Sequence, residues 1–414
     1  MQQIWTTAPR GLSQRLAPPL ISGARLLAHM WRHPRNALLM ALLVYSFVAI
    51  GTMSITQAEQ PLAYAYLADA FAHGSLALRT PPEQLTGVLS YAGNSYIAHG
   101  PLPALLLVPM VLIVGVDGSA SLLVLLLGAV NVGLTTLVLQ AASQAGVLRL
   151  NRLRQGLLIL FFATGSVQLV AATVGASTTI EALAAYSCVA LGYLAALRLR
   201  GVRAFLALGL AIAAALLTRW PAALALIWPL VWLWRSEQRA QRSPLPGALL
   251  LLLPLLAGAA GMGWYNWARF GSPFESGLRY FAHQGVAAFF QQQGVFAPAA
   301  LLKNLPLLLF AHPLVGGSTS YGLLVLSPLF LVAFMARREQ HTMLPLLAIT
   351  IVFSALPGLL TNVLAPQLVG LAALDFMLPL LLLTALGQRY TPAWLVASLV
   401  LLSMAHYLVV TMLR

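Results

Sequence analysis

Negative charge is scarce in this chain. Asp and Glu number 9 against 23 Lys and Arg in 414 residues, and charged residues of both signs make up only 8%. An ordinary soluble domain carries roughly 25%, so no water-facing surface can be built from this composition. Cysteine is almost missing as well. Cys188 stands alone, which excludes an intrachain disulfide and a cysteine metal site; within its apolar run it reads as a small buried hydrophobe. There is no nucleotide-binding glycine loop, no nucleophile elbow and no run of heptads. His283 and His312 lie too far apart to read as ligands, so spacing assigns no metal site. A divalent ion held by carboxylates stays open. The formal charge of +14 comes from short arginine clusters without an extended basic face, which excludes a nucleic-acid partner.

What the chain has in abundance is apolar sequence, at 60%. Cut at its arginine clusters and Pro/Gly breaks, it falls into stretches of about 16 to 24 residues, and ~20 helical residues cross ~30 Å of hydrocarbon. The expected fold is all-α, a polytopic transmembrane bundle of about 11–13 spans. Residues 1–35 hold Arg10, Arg15, Arg25, Arg32 and Arg35 and read as a basic amphipathic segment on the cytoplasmic surface. The run that follows is too long for a signal-peptide core. It is the expected first span of a membrane domain over residues 36–414, with the N-terminus in the cytoplasm.

Two comparatively polar stretches interrupt that domain, at about 56–100 and 267–304. The clusters Arg149/Arg152/Arg154, Arg198/Arg200/Arg203 and Arg235/Arg239/Arg242 are each separated by two apolar runs and can face the cytoplasm together. Counting on from the third cluster puts both polar stretches outside. Two full spans between Gly100 and Arg149 would break this scheme, so either 101–143 crosses an odd number of times or one cluster violates the rule.

With so few carboxylates, each can be weighed. Glu237 and Glu339 sit among arginines as surface ion pairs, and Asp117 lies in a turn ahead of an apolar run, where aspartate caps helices. Glu181 and Asp375 fall within apolar runs, where an ionisable group is costly and functional by default. The outer stretches carry Glu59, Asp69, Glu83 and Glu275. Glu59 comes just past the first span, at the depth of a lipid headgroup, and Asp69 follows in the same stretch; these two are the candidate catalytic acids. Basic residues on that side run against the usual bias and call for an anionic partner. Arg79, Arg219, Arg269 and Arg279, with His99, are candidates for holding a lipid phosphate, which a guanidinium fork suits. Arg219 is the sharpest, because Leu216-Leu-Thr-Arg-Trp-Pro221 interrupts two apolar runs with a charge and a proline, and non-helical backbone at such depth lines a cavity.

Several of these strings resemble one family. Tyr66-Leu-Ala-Asp-Ala-Phe-Ala-His-Gly74 looks like a first outer-loop helix, and Tyr91-Ala-Gly-Asn-Ser-Tyr96 with His99-Gly-Pro-Leu-Pro103 like the entry to a second span. Leu216–Pro221 is similar to a recurrent break, and Tyr265-Asn-Trp-Ala-Arg-Phe-Gly-Ser-Pro273 resembles a signature opening the second outer loop. Their order over most of the chain resembles the bacterial membrane glycosyltransferases of the GT-C fold, related to the dolichyl-phosphate-mannose protein mannosyltransferases. The resemblance implies a GT-C-like bundle in the bacterial inner membrane with two large outer loops. It implies transfer of a sugar from a polyprenyl-phosphate donor to a glycan, lipid or protein acceptor, with a first-loop acid as base and basic residues on the lipid phosphate. Two departures stand out. Where the family often has an acidic pair, this chain has Ala58-Glu59, and a tyrosine and arginine expected shortly before Asp375 are absent. The competing readings are a lipid or solute transporter or flippase, and a non-catalytic partner in envelope glycan assembly.

Overall fold

The computed structural model describes residues 30–52, 63–81, 85, 87–173, 177–314, 320–337, 344–362 and 367–413. Glu59, Glu83, Glu339 and nearly all of the basic segment 1–35 lie outside the described residues. In chain order the helices are α1 (Pro34–Gly51), α2 (Ala63–Ala72), α3 (Leu102–Val114), α4 (Ser119–Gln144), α5 (Arg152–Thr164), α6 (Val167–Thr173), α7 (Ser177–Arg198), α8 (Gly201–Thr218) and α9 (Trp220–Ala223). They continue as α10 (Ile227–Arg239), α11 (Leu245–Phe270), α12 (Gln284–Gln293), α13 (Pro298–Phe310), α14 (Leu323–Leu326), α15 (Leu344–Leu360), α16 (Gln367–Leu371), α17 (Met377–Gln388) and α18 (Ala393–Met412).

Among the described residues, 6 helices are long and apolar enough to cross a membrane, and 8 if each of two bent pairs counts as one span. Three shorter apolar helices lie at Leu102–Val114, Pro298–Phe310 and Leu344–Leu360. The chain is a multi-pass membrane protein. Between Gly100 and Arg149 the 13 residues of α3 reach only ~20 Å at 1.5 Å per residue, too little to cross unaided. That leaves α4, with 26 residues, as the one full-length helix there, which fits the alternative in which 101–143 crosses an odd number of times.

Lipid is as apolar as leucine, so helices associate through close packing and polar contacts rather than hydrophobic exclusion. The observed contacts follow that logic. Gly258 of α11 lies against Ala213 of α8, so the two backbones meet where there are no bulky side chains. Asn131 in α4 donates to the Leu183 carbonyl of α7 at 3.0 Å and accepts from Ser187 at 2.6 Å. Interhelical hydrogen bonds of this kind contribute roughly 0.6 kcal/mol each.

One small element departs from the all-helical pattern. Val88–Tyr91 (β1) pairs antiparallel with Asn94–Ile97 (β2), turning through Ala92 and Gly93 at φ 50 and φ 79. Two consecutive positive φ values define the tight hairpin turn that suits strand twist, and glycine takes the second at little cost. The hairpin also joins the two polar stretches. The Ala282 N–H donates to the Val88 carbonyl at 2.9 Å, and Leu89 and Tyr96 form a small core with Phe270. Both stretches therefore lie at one end of the bundle.

Candidate functional site

A cavity of about 1060 Å³ opens at that end, where α7 begins and α8 and α11 finish. Its wall is largely apolar. Trp264 and Trp267 of α11, 58% and 57% exposed, and Phe274, 95% exposed, stand at its rim, the placement typical of rings at a membrane interface.

The polar part of the wall is assembled from four distant segments. Helix α8 stops at Thr218 because Pro221, two residues after Arg219, lacks an N–H to continue the ladder. Arg219 itself is extended, at φ -156 and ψ 103. This turns its side chain off the helix axis, and Nε comes to 3.1 Å from Asp375 Oδ2. Its other two guanidinium nitrogens make no hydrogen bond among the described residues, and Arg219 is one of the residues that line the cavity. Asp375 occupies a second break. Val369–Asp375 and Met377–Gln388 meet at 74°, and Asp375, only 2% exposed, has Oδ1 without a hydrogen-bond partner among the described residues.

Glu181 lies in the first turns of α7, with Oε2 at 3.0 Å from His99 Nδ1. An ionised carboxylate can only accept, so Nδ1 carries the hydrogen, and in the neutral form of the ring the lone pair is on Nε2. The Tyr64 ring of α2 packs 5.2 Å from the imidazole. Burial, and after it the Glu181 carboxylate, hold the Tyr64 phenol well above its usual range, so it remains a neutral donor.

Gly100 connects the two halves of this wall. A Cβ there would collide with the carbonyl oxygens of Leu217 and Thr218, so only glycine lets the turn after β2 lie against the end of α8. His99 and Arg219 are thereby neighbours.

Of the residues selected from sequence, His99 and Arg219 line the cavity. Asp69 lies 3.4 Å from His73 and 3.7 Å from Arg79 in a charged cluster on α2 and the turn beyond it, apart from the cavity lining. Arg269 is buried and donates to the Ile97 and Tyr265 carbonyls and to Asn266 Oδ1 at 2.8, 3.2 and 2.9 Å, with its guanidinium over the Tyr265 ring. It ties α11 to the hairpin. Arg279, 66% exposed, pairs with Glu275 at 2.9 Å. Glu59 lies outside the described residues. Glu181 and Asp375 were visible in sequence as carboxylates in apolar runs, whereas nothing in the residue pattern marked Tyr64. Among the described residues no group of three or more His, Cys, Asp or Glu is placed to hold a metal ion.

The bundle and this cavity define a class: a polytopic helical membrane protein with an interfacial site that joins an apolar chamber to buried ion pairs. No protein-family model matches the chain, and no curated protein does. The chain is similar in structure to ArnT from Cupriavidus metallidurans bound to undecaprenyl phosphate, with a TM-score of 0.50 and 16% identity over 86% of this chain and 60% of that one. The apo state of the same protein gives 0.47 and 17%. The chain thus spans about 60% of the length of the structure it matches, and the likeness is one of fold. At that level the GT-C expectation is borne out.

Proposed function

We propose that this protein is a membrane glycosyltransferase that moves a sugar from a polyprenyl-phosphate donor to an acceptor, working at the outer face of the bacterial inner membrane with its N-terminus in the cytoplasm. The observation that carries this reading is Arg219, a lining residue of a largely apolar cavity whose guanidinium is paired through Nε with Asp375. That pairing of features suits a lipid phosphate: the chain lies against apolar wall and the phosphate takes two parallel N–H bonds. Neutralising the phosphate makes it a better leaving group, which is electrostatic stabilisation of the charge that develops in transfer. The undecaprenyl phosphate bound by the structural neighbour is a ligand of the same chemistry. The resemblance places the base on Glu59 or Asp69, and Asp69 would have to leave His73 and Arg79 to act.

The test is incorporation of label from a panel of undecaprenyl-phosphate-linked hexoses and pentoses, in inner-membrane vesicles that contain the producing cell's own acceptors. The expected result is transfer with at least one donor, and an Arg219→Ala variant weakened in binding undecaprenyl phosphate by about 10–100-fold, the worth of one charge-assisted contact. Absence of transfer from every donor would remove the enzyme reading. The bent helix pairs are the feature that favours the second reading, a lipid carrier, since discontinuous helices also build transporter sites. Movement of labelled lipid between leaflets, without sugar transfer, would favour it.

A further inference from the structure

We infer that His99, oriented by Glu181, is the base that takes the proton of the acceptor hydroxyl. The inference rests on the glycosyl-transfer reading and gives a different role to a residue that the sequence offers as a phosphate-binding candidate. Three observations carry it. The Glu181 carboxylate holds Nδ1 at 3.0 Å, which fixes the tautomer, and Nε2 has no partner among the described residues. A pair serving only to hold helices together would be expected to satisfy both ring nitrogens. Second, His99 and Glu181 both line the cavity, so Nε2 can be reached by a substrate. Third, the close approach of Gly100 to Leu217 and Thr218 holds the chain at His99 against the chain just before Arg219, and both residues line the same cavity. Among the described residues Asp375 is paired through Oδ2 with Arg219, and Asp69 with His73 and Arg79. A base, a group that orients it and an adjacent anion holder form the constellation general-base catalysis needs.

In the step itself the acceptor O–H gives its proton to Nε2 and the oxygen forms a bond to the anomeric carbon. The bond from that carbon to the phosphate oxygen breaks, and its electron pair leaves on the phosphate against Arg219. Glu181 stabilises the imidazolium, which then returns its proton to the released phosphate or to water. The products are the glycosylated acceptor and polyprenyl phosphate.

The experiment compares His99→Ala, His99→Gln and Glu181→Gln with wild type in the same vesicle assay, and measures undecaprenyl phosphate binding separately on purified protein. Turnover should fall ~10²–10⁴-fold in both His99 variants with undecaprenyl phosphate affinity unchanged, and added imidazole should restore part of it in His99→Ala. His99→Gln retains an N–H for Glu181 and keeps the test informative if the smaller side chain does not fold. Glu181→Gln should reduce turnover less and move the acid limb of the rate profile to lower pH, because an amide no longer stabilises the imidazolium. The ionisable groups around the ring are Glu181, Tyr64 and Arg219, with Asp375 behind, and of these types only histidine ordinarily titrates between pH ~5 and 8. Wild-type turnover in the His99 variants, a loss matched by lost undecaprenyl phosphate affinity, or an acid limb unmoved by Glu181→Gln would each overturn the inference. Loss of transfer in Glu59→Gln beside intact His99→Ala would give the base to the first loop. An inactive wild type would instead overturn the functional reading, and the base with it.

Discussion

Arg219 and Asp375 form an ion pair that is closed on one side and open on the other, at 2% exposure for the acid and 20% for the base. Removing one partner of a buried pair leaves an uncompensated charge and costs about 3–5 kcal/mol, whereas replacing both with apolar residues is often neutral. Asp375→Asn should therefore lower the unfolding temperature in detergent, with a loss nearer the bottom of that range because Arg219 keeps some access to solvent. The double variant Arg219→Met with Asp375→Leu should regain stability without regaining donor binding. A double variant as unstable as the single one would show that the pair matters through packing alone. At this scale much was legible in sequence, because an ionisable group in an apolar run is conspicuous by its cost. The partners were not legible. His99 lies 82 residues from Glu181, and no local pattern reports such a pairing. Arg269 is a candidate only as a basic residue in an outer polar stretch, and its donors are spent on the Ile97 and Tyr265 carbonyls and Asn266.

The elements make the site through their interruptions. Pro221 lies two residues beyond the last helical hydrogen bond of α8, from the Arg219 N–H to the Ala215 carbonyl, and the 74° bend at Asp375 sets the acid where the guanidinium can meet it. The joint between them and His99 is the close approach at Gly100. Gly100→Ala should force the turn after β2 away from Leu217 and Thr218 and separate His99 from Arg219. The expected outcome is at least a tenfold loss of transfer with undecaprenyl phosphate binding retained, since Arg219 stays on its own helix end; unaltered turnover would mean the two side chains need not be adjacent. The break at Arg219 could be read from Thr-Arg-Trp-Pro, because proline cannot continue a helix. The bend at Asp375 could not, since Pro379 follows it within α17 and no glycine or proline stands at the corner. The hairpin was missed for a simpler reason: four-residue strands are too short for alternation to stand out from a polar loop.

For the whole molecule, apolar run lengths made the multi-pass bundle plain, and the arginine clusters gave it a proposed direction. The packing of the hairpin against residues 280–282 places both polar stretches at one end, which a common outer face requires. With Cys188 as the sole cysteine, a Cys188→Ser background permits a direct check. A cysteine at Gln292 should react with an impermeant maleimide from outside intact cells, and one at Ser243, beside the third arginine cluster, only after the membrane is opened. The reverse pattern would invert the proposed orientation. Helix boundaries were less legible than helix existence, because α3, α13 and α15 are too short to be told from full spans by hydropathy alone.

If the site takes the proposed lipid-linked donor, the exposed Trp264, Trp267 and Phe274 at the rim set the terms in which the two meet. A chamber with such a rim is supplied from the plane of the bilayer, so the concentration that governs occupancy is the donor's mole fraction in the lipid phase, not its amount per volume of buffer. At fixed donor and protein, adding inert phospholipid to proteoliposomes should slow transfer in proportion to dilution of the surface, while diluting the whole suspension with buffer should leave the rate per protein unchanged. The protein's working range is then set by how crowded its own membrane is with lipid carrier.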